Sequence, residues 1–333
     1  MSAPGRWHER SIESEALRGN PLRDTHVRPL FVWTPAGYET GHDHYPVIYV
    51  LHALTGQARA WFNVSAWSES LPDIVERLEL EAIVVLVDGW TALGGSQWLD
   101  SPATGRYGTY FCDEVVAFVD EHFRTLPDAE HRALAGHSSG GYGAAVWTLR
   151  RPDLFSAFAS HAGDGLFDVS LRPEFAPAAQ ALRNRYEGSF DLFWADFTSG
   201  RRVFSVSSDA VLQNVWACAA AYSPRPSGGV DVPFRLETGE IVPDIWERWI
   251  ANDPVTLAKA HRESLRASRA IWIDAGRNDE YQLDLAAVAL WEQVQAAGVD
   301  GARAHFELHE GGHRGATWRF AHSLPFLADR IRG

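Results

Sequence analysis

The stretch Arg132-Ala-Leu-Ala-Gly-His-Ser-Ser-Gly-Gly-Tyr-Gly-Ala-Ala145 sets the expectations for the whole chain. Arg132 to Gly136 reads as a short buried strand, and Gly141 to Leu149 as a helix packing back on the sheet. Between them, Gly136-His-Ser-Ser-Gly140 fits the G-x-S-x-G turn that carries a nucleophilic serine. The spacing has a steric reason. A serine on a strand-to-helix turn this sharp sits in a strained conformation, so the residues two before and two after it must lack bulk. Gly136 and Gly140 satisfy this around Ser138, whereas centring the turn on Ser139 would put His137 where a small residue is needed. Ser138 is therefore the expected nucleophile. The helix that follows aims its N-terminus at the same point.

Composition bounds what surrounds this turn. With 333 residues, 46% of them hydrophobic, the chain can bury one large core with an insertion. A formal net charge of −13 provides no basic patch and argues against nucleic acid as a partner. Lys259 is the only lysine, so the basic residues are almost all arginine. Cys112 and Cys218 lie far apart in apolar surroundings and read as buried free thiols rather than a disulfide framework. The N-terminal residues have no apolar core of signal-peptide length, and no run of about 18 apolar residues occurs, so no membrane association and a cytoplasmic location are expected.

Outward from the turn, alternation stopped by Pro35-Ala-Gly37 marks a strand at Val27–Thr34, and the continuous run Val47–Leu51 marks another. Further strands are expected at Ala82–Val87, Phe155–Ser160, Ala270–Asp274 and Ala304–Leu308. Helical spacing appears over 71–80, 107–123 and 283–297; the second places Phe111, Val115, Phe118, Val119 and His122 on one face. Strands alternating with helices predict an α/β protein with a mostly parallel central sheet flanked by helices. Residues 1–26 read as an N-terminal arm or edge strand, with the core formed by 27–166 and 263–333. Residues 167–262 break the alternation and are rich in aromatics, with helices expected over 172–180, 190–197 and 241–250 and a loop over 222–229. This segment is the expected cap over the open end of the sheet.

A serine hydroxyl needs a base, the base an orienting carboxylate, and the developing oxyanion a pair of donors. Each should lie just past the C-terminal end of a strand. His313 follows the last strand behind Gly311-Gly312, which makes it the expected base among 14 histidines. Asp279 follows the strand before it and is the expected acid; Asp164, also just past a strand, is its competitor. The chain order Ser138, Asp279, His313 suits a nucleophile elbow of this kind. The Ser139 N–H is one expected oxyanion donor, and the Leu54 N–H, in the loop after Val47–Leu51, the other. Trp216, Trp246 and Tyr281 are the expected substrate-facing aromatics, and Arg201, Arg202 or Arg277 could meet a carboxylate.

His309-Glu-Gly-Gly-His313 matches the H-E-x-x-H zinc string by letter. Zinc ligation by that motif needs both histidines on one helical face, and two glycines after a β-type run oppose a helix there. No metal and no cofactor is expected.

With these residues placed, the chain resembles the esterase D-like putative-esterase branch of the α/β-hydrolase superfamily. The resemblance covers roughly residues 27–170 and 265–325. It is carried by Val50-Leu-His-Ala-Leu-Thr-Gly56, Val87-Asp-Gly89, Gly95-Ser-Gln97, Ser101-Pro102, Gly136-His-Ser-Ser-Gly-Gly141, Ser160-His-Ala-Gly-Asp164, Asp279-Glu280 and Gly312-His313. The resemblance implies the α/β-hydrolase fold and serine hydrolysis of carboxylic esters or thioesters. Ser138, Asp279 and His313 would form the triad, with Leu54 and Ser139 as oxyanion donors. Two departures stand out. Ala53 occupies a place where the family commonly has glycine. Gly56 stands where S-formylglutathione hydrolases usually carry cysteine, which argues against glutathione thioesters.

The reading that follows is a serine esterase acting through an acyl-enzyme on an apolar or aromatic small-molecule ester. An acyltransferase or thioesterase with the same triad, and a non-catalytic binding protein on the same fold, are the alternatives. The natural ester and the oligomeric state, a homodimer included, stay open.

Overall fold

The computed structural model describes residues 4–199, 208–226 and 228–332. Eight strands form one mixed sheet: β1 (Arg6–Glu13), β2 (Val27–Thr34), β3 (Val47–Leu51), β4 (Ile83–Val87), β5 (Arg132–His137), β6 (Ala157–His161), β7 (Ala270–Gly276) and β8 (Ala304–His309). Their order is β1-β2-β4-β3-β5-β6-β7-β8. β1 pairs antiparallel with β2 and β2 with β4, while every pair from β4 to β8 is parallel. β3 and β4 are buried at every residue, because helices cover both faces of the parallel region.

Alternation along the strands sorts side chains into two cores. Val47, Tyr49, Leu51, Leu134 and Phe158 face one layer, Ile48, Val50, Ala133, Ala135, Ala157 and Ala159 the other. The second face is mostly alanine in β5 and β6, where the C-terminal helix packs, and two helices cover this face. These are α1 (Leu71–Leu78) and the C-terminal Phe320–Ile331, whose Phe320, Leu324, Leu327 and Ile331 fill that core. The first face is covered by residues 107–122 (α2), by α3 (Ser139–Arg150) and by helices from between β6 and β7.

Helical spacing over 107–123 implied one regular α-helix. Its middle, Tyr110–Val115, is π-helical. The wider turn advances the phase of everything after it. His122 is therefore exposed and stacks on Phe118 rather than joining the buried face.

Between β6 and β7 the chain forms α4 (Phe175–Arg185), α5 (Phe190–Phe197), α6 (Ser208–Tyr222), α7 (Pro243–Ile250), α8 (Pro254–Ala260) and α9 (Arg262–Ala267). The loop expected over 222–229 begins one residue later, because Tyr222 closes α6. α8 and α9 pack on α3 beside the sheet. Large rings in this segment pack mainly on one another, as in the contacts of Phe175 with Phe234, Trp246 and Trp249. Arg201 and Arg202 lie outside the described residues. Among the described residues, no helix is long and apolar enough to cross a membrane.

Candidate active site

The β5–α3 junction holds Ser138 at φ 56° and ψ −125°, a strained conformation for a residue with a side chain. Both flanking glycines are required by contact. A Cβ on Gly136 would stand 2.2 Å from the Gly140 carbonyl carbon, and one on Gly140 would stand 2.0 Å from the Leu51 carbonyl oxygen. The turn is therefore pressed directly against β3. The Ser138 N–H donates to His161 O at 2.9 Å and Tyr142 N–H donates to Ser138 O at 2.9 Å, so backbone bonds hold the strained residue from both sides.

Asp279 and His313 follow the neighbouring strands β7 and β8, and close backbone contact joins their loops. Arg277 N–H donates to His309 O and Asn278 N–H to Gly311 O, each at 2.9 Å. A Cβ on Gly276 would lie 2.6 Å from the carbonyl oxygens of both Gly311 and Gly312. His313 Nδ1 then meets Asp279 Oδ2 at 2.9 Å. The other Asp279 oxygen accepts the Tyr281 and Leu283 N–H groups at 2.9 and 3.3 Å. Burial would raise the Asp279 carboxyl, but its bond and charge interaction with His313 and the two amides outweigh this and hold it low. An ionised Asp279 fixes the proton of a neutral His313 on Nδ1 and leaves Nε2 as the basic atom.

Two further groups hold the His313 loop. The Glu280 carboxylate accepts the His313 N–H at 2.6 Å. His137 Nε2 donates to His313 O at 2.9 Å, with the two rings 4.6 Å apart. Burial, aided by the nearby His313, pushes the His137 imidazole down to about 3, so it is neutral there. Tyr281 stands edge-on to the His313 ring at 4.9 Å.

Ser138, Ser139, Leu54, Asp164, Tyr281 and His313 all line one cavity of about 480 Å³. No hydrogen bond joins Ser138 to His313. The Ser138 hydroxyl donates instead to Asp164 Oδ1 at 3.4 Å, while Ser139 Oγ and Gln97 Nε2 donate to Asp164 Oδ2, each at 3.1 Å. Burial raises the Asp164 carboxyl, against the pull of Gln97, His313 and the two hydroxyls. The Ser139 N–H lies in the first turn of α3 and has no intrahelical acceptor. No hydrogen bond uses the Leu54 N–H among the described residues. The loop carrying Leu54 is shaped by Gly56 N–H donating to Ala53 O, Thr55 N–H donating to Gly94 O, and His52, whose Nε2 accepts the Gly89 N–H.

Three expectations meet a different outcome. Trp216 and Trp246 do not line the cavity. Trp216 packs against Phe190, Phe193 and Trp194, and Trp246 against Phe175 and Trp249, because rings this large gain most by burying one another. Arg277 is mostly exposed and pairs with Glu310 at 3.4 Å. The H-E-x-x-H string is not among these departures: as expected it forms no helix, since His309 ends β8 and residues 310–312 form a loop.

A second Ser-His-Asp arrangement also appears. His161 Nδ1 meets Asp274 Oδ1 and its Nε2 meets Ser323 Oγ, both at 2.8 Å. Its geometry is tighter than that around Ser138, yet its side chains are sealed from solvent and Arg319 and Trp272 bind the same carboxylate. Burial alone would raise Asp274; the charges of His161 and Arg319 reverse this and hold it far below the usual carboxylate range. Access distinguishes the two sets.

Sequence reasoning missed Glu174, Gln213 and Asn214 in the cavity wall. The signal available was the Ala217-Cys-Ala-Ala-Ala221 run, a strong helix former that would have revealed α6.

A model of the putative esterase family matches residues 25–324, which is nearly the whole chain. The chain belongs to the putative esterase family. Esterase Rv1288 of Mycobacterium tuberculosis is 27% identical over 178 residues, covering 52% of this chain and 34% of that protein. An endo-1,4-beta-xylanase/feruloyl esterase of Xylanibacter ruminicola is 26% identical over 129 residues, 37% of this chain and 18% of that one. This putative esterase thus matches about a third or less of the length of these curated relatives. Among solved structures, a ferulic acid esterase superposes with a TM-score of 0.62 at 20% identity, over 99% of this chain and 100% of that one. An S-formylglutathione hydrolase from Agrobacterium tumefaciens gives 0.61 at 18%, over 100% and 98%. These likenesses establish the α/β-hydrolase fold.

Proposed function

We propose that the chain is a serine hydrolase of carboxylic esters, with Ser138 as nucleophile, His313 as base and Asp279 as the carboxylate that orients it. One observation carries this reading. The 2.9 Å His313–Asp279 pair opens onto the same cavity as a serine on a strained, doubly glycine-bound elbow. With Nδ1–H given to Asp279, His313 Nε2 removes the Ser138 proton as Oγ forms a bond to the ester carbonyl carbon. The carbonyl oxygen takes the negative charge and is met by the Leu54 and Ser139 amides. His313 returns the proton to the departing alcohol, leaving an acyl group on Ser138. Water, activated by the same imidazole, then releases the acid. The cycle starts when the Ser138 hydroxyl leaves Asp164 for His313; such bonds are often long in unliganded enzymes. Each role is filled by a protein group.

A cavity of about 480 Å³ with Leu54, Leu171, Val211 and Leu283 in its wall suits a small apolar or aryl ester. The likeness to a ferulic acid esterase agrees with an aromatic ester. The test is a panel of p-nitrophenyl and aryl esters of graded acyl length, run beside Ser138→Ala. Turnover should fall by on the order of 10⁴ to 10⁶ in the variant. Activity that survives the substitution in a clean preparation refutes the assignment.

A further inference from the structure

The cavity wall contains a carboxyl that the mechanism does not use. Glu174 immediately precedes α4, where a side chain of its kind would ordinarily serve the free N–H groups of the first turn, yet it makes no capping bond. It turns instead toward α6, where Asn214 Nδ2 donates to Glu174 Oε2 at 2.7 Å. Oε1 has no hydrogen bond among the described residues, and no cation there pairs with the carboxyl. Arg314, a cation in the same lining, is exposed and is not ion-paired with it among the described residues. Burial lifts the Glu174 carboxyl from an ordinary 4.5 to about 7, against the pull of Asn214. Glu174 is only half-buried and lines the cavity, so a donor on a bound ligand can reach the oxygen that the protein leaves unused.

We propose that Glu174, held by Asn214, is the specificity determinant that receives a hydroxyl carried on the part of the ester remote from its carbonyl. The free Oε1 accepts a hydrogen bond from the substrate hydroxyl, and Asn214 holds the other carboxyl oxygen. The same arrangement disfavours a substrate carboxylate at this position, because Asp164 already places a second carboxyl in the lining. Leu54, Leu171, Val211 and Leu283 in the same lining accommodate the intervening hydrocarbon. The inference rests on the reading of this cavity as the ester site.

The test compares p-nitrophenyl 3-(4-hydroxyphenyl)propanoate with its 4-methoxy counterpart. The assays are run above the Glu174 value of about 7, so that its carboxyl is ionised. A hydrogen bond to a charged group then corresponds to about tenfold to hundredfold in kcat/KM. The wild type should therefore prefer the hydroxyl ester by at least about tenfold. Glu174→Gln should reduce that ratio, and Glu174→Leu should abolish it, with thermal melting confirming that both variants fold. The matched unreactive amides, titrated by calorimetry, should show the same preference in binding and the same loss in the variants. A wild type that binds both amides equally, or a preference that persists in folded Glu174→Leu, overturns the proposal. Failure of a fluorophosphonate probe to label wild-type Ser138 would instead count against the nucleophile assignment, and the calorimetry would still decide the role of Glu174.

Discussion

Replacing Asp279 by Asn separates the two carboxylates that compete for the triad. Asn at this place keeps its Oδ1 for the Tyr281 and Leu283 amides, which now anchor one oxygen at 2.9 and 3.3 Å. Its Nδ2 then takes the position 2.9 Å from His313 Nδ1 that Oδ2 holds in the native chain. Two N–H groups cannot face each other, so His313 moves its proton to Nε2 and presents a donor to Ser138 where an acceptor is needed. A wrong tautomer of this kind costs about 10⁴ in kcat, equivalent to about 5.4 kcal/mol in the barrier. Asp164→Asn is the matched control. Burial already favours the neutral form of Asp164, and the Asn carbonyl can still accept from a serine hydroxyl, so a loss under about tenfold is expected. The assay is kcat and kcat/KM on a p-nitrophenyl ester, with near-ultraviolet circular dichroism confirming the fold. An Asp279→Asn enzyme within tenfold of wild type, beside an Asp164→Asn enzyme that has collapsed, would refute the assignment of the acid.

Gly140→Ala should damage both stability and turnover. Its Cβ would have to move from 2.0 Å to an ordinary 3.4 Å from the Leu51 carbonyl oxygen, a displacement of 1.4 Å against the backbone of a central strand. Overpacking of this kind costs about 1–3 kcal/mol, and a shift of about 1 Å at a nucleophile costs about 10²-fold in rate. Urea melting and kcat would measure the two effects, and wild-type values in both would contradict the close approach of the elbow to β3. Ser323→Ala should lose about 1–3 kcal/mol by leaving the buried His161 Nε2 unpartnered, while fluorophosphonate labelling continues at Ser138. Label found on Ser323 by mass spectrometry would reverse the roles given to the two Ser-His-Asp sets.

Much of the framework was readable from local pattern. Val47–Leu51 and Val27–Thr34 match their strands residue for residue, the first because a continuous β-branched run allows few alternatives, the second because its alternation ends at Pro35-Ala-Gly37. The Ser138 turn was readable because its glycine spacing is a steric requirement, and the contacts at Gly136 and Gly140 show the obstacle each glycine avoids. The π-turn within 107–122 was not readable, since residue spacing alone does not reveal one extra residue in a helical turn. Nor was the packing of Trp216 and Trp246. Aromatic content in a segment does not say which rings face a cavity and which face each other.

The amino-acid sequence by itself determined the order of the central strands, the helices over 71–80 and 283–297, the place of the strained serine, and the loops that carry an acid and a base past adjacent strand ends. Those features depend on neighbours a few residues apart, where sterics and periodicity act directly. Only the tertiary structure decided that Asp279 rather than Asp164 contacts His313, that Ser138 rests on Asp164, that Ser323-His161-Asp274 is sealed away, and that Glu174 meets Asn214 in the cavity wall. These are contacts between groups distant along the chain, set by how helices and loops settle on the sheet, and no local spacing encodes them.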